Sequence, residues 1–427
     1  MGVPLLFWFR PPKGLLRRVM SVRPANLLAV WAFNETAGRV LQNLANKYYA
    51  NLELTDNGGF ETAGAGGADV FAYTQENAGD GSIADETVIV KSGGHAAKLT
   101  AGPSANTYIR PSQAGSDGNS LKVFPGMSVT LSFWTRGDGM NAGRYNVYDV
   151  TNSAWIRTTV STGVAGTTYT QVSYSFTVPA NCFVIQIGLF CPTASGGTCY
   201  FDDVSVTADM PYKGMYASSG MTYGQSGPTP ILRSAVFSGT NSGLLIGTKA
   251  FGQAWNGNVG SVIAWGKVDS SARWTDASTY RYLFHPKSRQ DATVYIVMGK
   301  NTTNHQLVWR RRVASGIYEK TYTFSPAGPT GWFCMGFAWD MQSSPKNFKG
   351  YVYAPGHTAF TEVFNETPSA GTGDQNWDNS TYTCDDVNTV LAGGSTTAQL
   401  WIGAQSLTAY WAGAALTPAE FRRVMVF

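Results

Sequence analysis

Along much of this chain hydrophobic and polar positions alternate, and the alternation predicts strands. Between Met127 and Trp134 the apolar residues fall at Met127, Val129, Leu131 and Phe133, with Ser128, Thr130 and Ser132 between them. Val172, Tyr174, Phe176 and Val178 repeat the period of two, as do Phe183, Ile185, Ile187 and Leu189. Such a period sends one row of side chains into a core and the other toward solvent, which is how a half-buried strand reads. Residues 27–33 are apolar enough for a strand inside a sandwich core. Near the end, Thr417-Pro418-Ala419-Glu420 has the form of a capping box with proline at the first helical position, and it predicts a short helix through Arg423. The expected fold class is all-β: two β-sandwiches of the jelly-roll kind, one inserted in the other, behind an N-terminal arm.

Composition narrows this picture. A length of 427 residues suits two or three domains, each able to bury its own core. Only 14% of residues are charged, and no apolar run reaches the roughly 18 residues of a membrane-spanning helix. The net charge of +4 is uneven: residues 1–24 carry Arg10, Lys13, Arg17, Arg18 and Arg23 with no acid, so the rest of the chain sums to −1. Near-neutral sandwiches lack the clustered Lys and Arg that track phosphates, so no nucleic-acid partner is expected. The leader does not read as a secretory signal, because Leu5-Leu6-Phe7-Trp8-Phe9 is short and precedes most of the charge. It reads instead as a docking arm, with Phe7, Trp8 and Phe9 inserting into a neighbour and Arg10, Arg17 and Arg18 pairing with its acids. Of five cysteines, Cys191 and Cys199 flank a seven-residue turn; buried free thiols are the favoured state and a cross-strand disulfide the alternative.

Catalytic patterns are missing. A retaining glycosidase needs two carboxylates roughly 5–5.5 Å apart, and no strand-like segment carries two acids at alternate positions among apolar residues. Asp202 and Asp203 are adjacent, so an extended strand sends them to opposite faces. His95, His285, His305 and His357 are far apart and lack metal-ligand spacing, and there is no nucleophile elbow or phosphate loop. The chain is therefore expected not to be an enzyme. The run Arg310-Arg311-Arg312 reads as a solvated or partner-facing strand edge. The stretch 365–395, with Asp374, Asp378, Asp385 and Asp386, reads as a long surface loop.

Two family resemblances organise these segments. Asn57-Gly58-Gly59-Phe60-Glu61, the 94–99 strand, the 125–134 strand and Tyr200-Phe201-Asp202-Asp203-Val204 together resemble the galactose-binding-like carbohydrate-binding modules of families four and nine. That resemblance implies a structural calcium ion, with the Glu61 carboxylate, Asp202 or Asp203 and the Lys98 carbonyl as ligands. It also implies pyranose rings stacked on exposed aromatics, for which Tyr73, Trp134, Tyr145 and Trp155 are the candidates, with Arg136 beside them. Trp134 stands out because it lies on the hydroxylated register of its strand.

The flanking sequence resembles concanavalin A/laminin G-like sandwiches. The matching segments are residues 27–38, 234–241, 261–268, 332–340, 349–353 and 400–404, with the capped terminal helix; the strand before that helix is expected to be shortened to 409–413. The implied organisation is an arm over 1–24, a discontinuous laminin G-like sandwich over 25–51 and 209–427, and a carbohydrate-binding module over 52–208. Nested sandwiches of this kind look like tailed-phage surface proteins. The expectation is a virion surface protein, homo-oligomeric, bound to coat or tail proteins through its arm and to a polysaccharide through its module. The alternatives are a glycan-binding accessory module of a secreted polysaccharide-degrading system and a glycoside hydrolase on the concanavalin-like sandwich.

Overall fold

Strands dominate the computed structural model of the chain, and the all-β expectation holds. The structure describes residues 14–33, 40–45, 47–67, 69–113, 120–194, 196–211, 214–216, 221–230, 232–238, 244–245, 249–288, 291, 293–314, 316–371, 373–378, 384, 390–392 and 401–426. The chain divides into two compact units, one made of Met1–Lys47 with Pro211–Phe427 and the other of Tyr48–Met210.

In the first unit the strands Met221–Ser226, Arg233–Ser238, Ile402–Ala412, Val259–Val268, Phe333–Asp340, Asn347–Ala354 and Thr358–Glu366 lie in that order in one sheet, and Leu27–Trp31 also pairs with Ile402–Ala412. The last of these central strands is a single eleven-residue run, not the two short pieces at 400–404 and 409–413 that the sequence suggested. Its residues are almost all buried because it has neighbours on both sides and cover on both faces. A four-stranded sheet of Arg281–Phe284, Tyr295–Lys300, Gln306–Val313 and Gly316–Thr323 packs against it. The Trp309 indole fixes that packing by donating to the Gly336 carbonyl at 2.9 Å.

Two helices close the unit. Pro418–Met425 starts as the capping box predicted, with the Thr417 hydroxyl accepting from the Glu420 amide and Glu420 reaching back to the Thr417 amide at 2.8 Å. Leu15–Ser21 packs beside it, and this corrects the expected docking arm. Leu15, Leu16, Val19 and Val22 are buried in the unit's own core with Phe421, Val424 and Met425. The Val22 carbonyl accepts from the Trp411 indole at 2.8 Å, and Arg23 holds Glu420 through two bonds of 2.7 and 3.0 Å. Apolar burial thus makes the stretch from Leu15 to Arg23 part of the sandwich. Arg17 is exposed and Arg18 half-buried on this helix, while Phe7, Trp8, Phe9 and Arg10 lie outside the described residues.

Neighbouring arginines part company in the same unit. On the Gln306–Val313 strand successive side chains alternate, so Arg310 faces out while Arg311 enters the core, fully buried. Its guanidinium donates to the carbonyls of Gly257, Gly373 and Gln375. Beside these, Trp377 is buried against Gly257, where a Cβ would run into its indole ring. Residues 373–377 are therefore a strap tied into the core, not a solvated loop, and Asp374 is held to Lys346 there. Asp385 and Asp386 lie outside the described residues.

The second unit is a sandwich of two sheets. In one, the order is Thr170–Thr177, Ser128–Arg136, Thr198–Pro211, Ala96–Thr100 and Ser82–Glu86, with Tyr48–Glu53 also on Thr198–Pro211. In the other it is Ala154–Ser161, Arg144–Asp149, Val184–Cys191, Thr107–Pro111 and Thr74–Asn77, with Leu121–Lys122 on Val184–Cys191. Val129, Leu131 and Phe133 meet Ile109, Val147, Ile185, Ile187 and Leu189 as the fully buried core. The inward rows are the ones that the period of two identified.

Candidate carbohydrate-binding face

The outer side of the 74–161 sheet collects aromatic rings, amides and a guanidinium on one surface. Alternation along Arg144–Asp149 sends Tyr145, Val147 and Asp149 inward and leaves Arg144, Asn146 and Tyr148 on the outer row. Register then carries that row across the sheet. Tyr148 lies opposite both Trp155 and Gln186, Asn146 opposite Gly188, and Arg144 opposite Phe190, which itself lies opposite Tyr108. On the far edge Gln75 lies opposite Arg110 and Asn77 opposite Tyr108.

Side-chain geometry turns this row into a platform. Tyr148 and Trp155 meet edge to face with centroids 4.8 Å apart, and Trp155 is 54% exposed. Tyr108 and Phe190 meet at 5.4 Å, and the Arg110 guanidinium lies 4.6 Å over the Tyr108 ring. Arg110 is steadied by a 2.8 Å bond to the Gln75 amide oxygen, and Asn146 by a 2.9 Å bond to the Thr159 hydroxyl. Gly188 is required at the centre: a Cβ there would stand 2.5 Å from both the Asn146 side-chain oxygen and the Phe190 ring. Without it those two groups lie low over the strand. The face offers the exposed Trp155 ring and the half-buried Tyr148 ring for apolar contact and the Gln75, Gln186 and Arg110 side chains for hydrogen bonds, while Phe190 and Asn146 are buried.

The other sheet's outer face is already occupied by its own cations. Trp134 and Arg136 do point outward together, as the register of their strand implied. However, the Lys91 ammonium sits 4.4 Å over the Trp134 ring, and Arg136 sits 4.9 Å over Tyr200. Lys98 also reaches Tyr200 and pairs with Glu86 at 3.7 Å. Each contact takes a ring surface that a ligand would need.

The remaining candidates scatter. Tyr145 is buried between the sheets, 5.5 Å from Phe133 and 6.2 Å from Tyr174, so it is a core residue. Tyr73 is exposed, in a left-handed turn conformation (φ 58°) before the Thr74–Asn77 edge strand. That edge is at the opposite end of the sheet from Trp155. Of the five, only Trp155 belongs to the platform. Tyr108, Arg110, Asn146 and Phe190 were missed, although the alternation of Thr107–Pro111, with Tyr108 and Arg110 outward, was there to be read.

The residues expected to hold calcium lie around one loop and are engaged in hydrogen bonds. The Asp202 carboxylate accepts the Lys91 amide at 2.7 Å and the Ser92 amide at 3.3 Å, and its second oxygen takes the Asp203 amide at 2.7 Å. Asp203 accepts the Ser92 hydroxyl at 2.7 Å, and both Glu61 oxygens lie 3.1 Å from the Gly94 amide. All three carboxylates converge on the 91–95 loop, where they accept its N–H and O–H donors. Burial pushes Asp202 up to about 6. Lys98 lies mid-strand with partners on both sides. Among the described residues no group of three His, Cys, Asp or Glu side chains is placed to hold a metal.

No protein-family profile matches the chain, and no curated protein does. Solved structures similar to part of it include TmCBM61 in complex with β-1,4-galactotriose, at 15% identity and a TM-score of 0.28, over 37% of this chain and 99% of that one. The CBM40 of the Ruminococcus gnavus IT-sialidase bound to α2,3-sialyllactose is similar at 11% identity and a TM-score of 0.30, over 43% of this chain and 92% of that one. The enzymatically active domain of the bacteriophage CBA120 tailspike protein 4 is similar at 12% identity and a TM-score of 0.28, over 36% of this chain but only 21% of that one.

Proposed function

We propose that this chain is a non-catalytic carbohydrate-binding protein that takes a polysaccharide across the outer face of the 74–161 sheet, and that it serves as a surface component of a tailed-phage virion. The observation that carries the binding reading is the platform itself. Trp155 and Tyr148 supply an aromatic edge, the Arg110 guanidinium lies over Tyr108, and Gln75 and Gln186 lie on the same outer face. A sugar ring has an apolar C–H face and a rim of hydroxyls, so it needs that combination: ring surface for one and fixed donors and acceptors for the other.

The virion reading rests on the family resemblance of the two sandwiches and on the basic, aromatic 1–13 segment. A secreted accessory module would share the platform.

The platform is tested by glycan-array screening of the full chain, followed by calorimetry on the best polysaccharide. Trp155→Ala is expected to weaken binding by about tenfold, equivalent to ~1.4 kcal/mol, and Trp134→Ala to leave it within about twofold. Loss of binding in Trp134→Ala with Trp155→Ala unaffected would move the site to the other sheet. Release of new reducing ends from the bound polysaccharide would replace the binding reading with a hydrolase.

A further inference from the structure

Cys191 and Cys199 are built to be joined. Cys191 ends the Val184–Cys191 strand of one sheet, and Cys199 stands second in Thr198–Pro211 of the other. Both are fully buried, and their sulfurs lie 3.2 Å apart. A disulfide needs about 2.05 Å, so closure asks for a movement of roughly 1 Å. The approach is fixed from several directions. Cys191 is in register with Thr107 and Cys199 with Leu99, so each backbone is held by a partner strand.

The connecting turn is pinned as well. The Asp138 carboxylate accepts the Thr198 amide at 2.9 Å, and the Gly197 carbonyl takes the Ala101 amide at 2.8 Å. The contact also splits the two thiols, pulling Cys191 below the ordinary thiol value while Cys199 is pushed above it. The other three cysteines are buried too; the Cys182 thiol turns to the Val184 carbonyl and the Cys334 thiol to the Met335 carbonyl.

We propose that Cys191 and Cys199 are an oxidation site that closes into an intramolecular disulfide linking the two sheets of the 48–210 unit. With glutathione disulfide as oxidant the chemistry balances in two exchanges. One protein thiolate attacks the oxidant and releases one glutathione, leaving a mixed disulfide. The second protein thiolate then attacks the protein sulfur of that mixed disulfide and releases the second glutathione. Two protein S–H bonds are lost and one S–S bond forms, while the oxidant is reduced to two thiols. Because both sulfurs are shielded in the folded unit, the exchange belongs to folding, and the finished bond is protected from reductant.

The test is refolding of the full chain with glutathione disulfide, then alkylation under denaturing, non-reducing conditions. Before alkylation the expected mass is lower than that of the reduced chain by two hydrogen atoms, and after it Cys191 and Cys199 are unlabelled while Cys182, Cys334 and Cys384 are labelled. The oxidised wild-type unit should melt roughly 4–8 °C above the reduced one, a difference absent in Cys199→Ser. Labelling of all five cysteines, a bond to Cys182, or a bond between chains would each overturn the proposal. The melting comparison uses unaltered protein, so it stands even if Cys199→Ser folds poorly.

Discussion

His285 shows at the residue scale how burial sets a chemical state. Its ring is enclosed between Tyr282 at 4.9 Å and Tyr295 at 5.5 Å, and desolvation, helped by Lys287 and Arg310, pulls it down to about 3. In the unfolded chain a histidine titrates near 6.5. The neutral ring therefore favours the folded state fully above about 6.5, and that contribution is lost as pH falls toward about 3, because the unfolded chain takes up a proton that the folded one refuses. Urea denaturation of the first unit should show stability dropping by up to ~5 kcal/mol across this window. His285→Phe should flatten that slope; a slope unchanged in the variant would assign it to other groups. None of this was visible in sequence, where His285 was only one of four scattered histidines. The three consecutive arginines hid their difference in the same way, since only the face of the strand separates the buried Arg311 from Arg310.

Elements were legible where their signals are local. The terminal helix is the clearest case, because Thr417, Pro418 and Glu420 form its first turn and satisfy one another's backbone groups without help from elsewhere. Glu420 has a second commitment, the paired bonds to Arg23, which fasten this helix to the segment following Leu15–Ser21. Thr417→Ala should cost the first unit about 1 kcal/mol in chemical denaturation, by removing the hydroxyl that accepts the Glu420 amide; a change below about 0.3 kcal/mol would mean that the Arg23 contact alone secures the helix. The Leu15–Ser21 helix was read as part of a docking arm. Seven residues give too short a period to stand out, and its three buried side chains find their partners across almost four hundred residues of sequence. The Ile402–Ala412 strand was split for a related reason: buried on both faces, it shows continuous burial where a half-buried strand would alternate.

At the scale of the whole molecule, the virion reading makes one demand on the described structure. If Leu15–Arg23 belongs to the first unit, attachment must fall to what precedes it. Deleting residues 1–13 should leave the melting temperature of both units unchanged and abolish co-sedimentation with virus particles. Full co-sedimentation of the deleted chain would remove the arm from the account and favour a protein that works free of a particle.

What the sequence determined by itself was the alternation of its strands, the cap of its last helix, the absence of a local catalytic pattern and the neutrality of its sandwiches. These are properties of neighbouring residues, and chain geometry alone converts them into structure. Only the tertiary structure decided which outward rows share a surface. Trp155, Tyr148, Gly188 and Tyr108 come from four strands whose register sets them side by side. It also decided which rings remain open to a ligand, because Lys91 and Arg136 reach Trp134 and Tyr200 across strands and loops distant in sequence. A binding face is a relation among strands, and its pairings are fixed by packing.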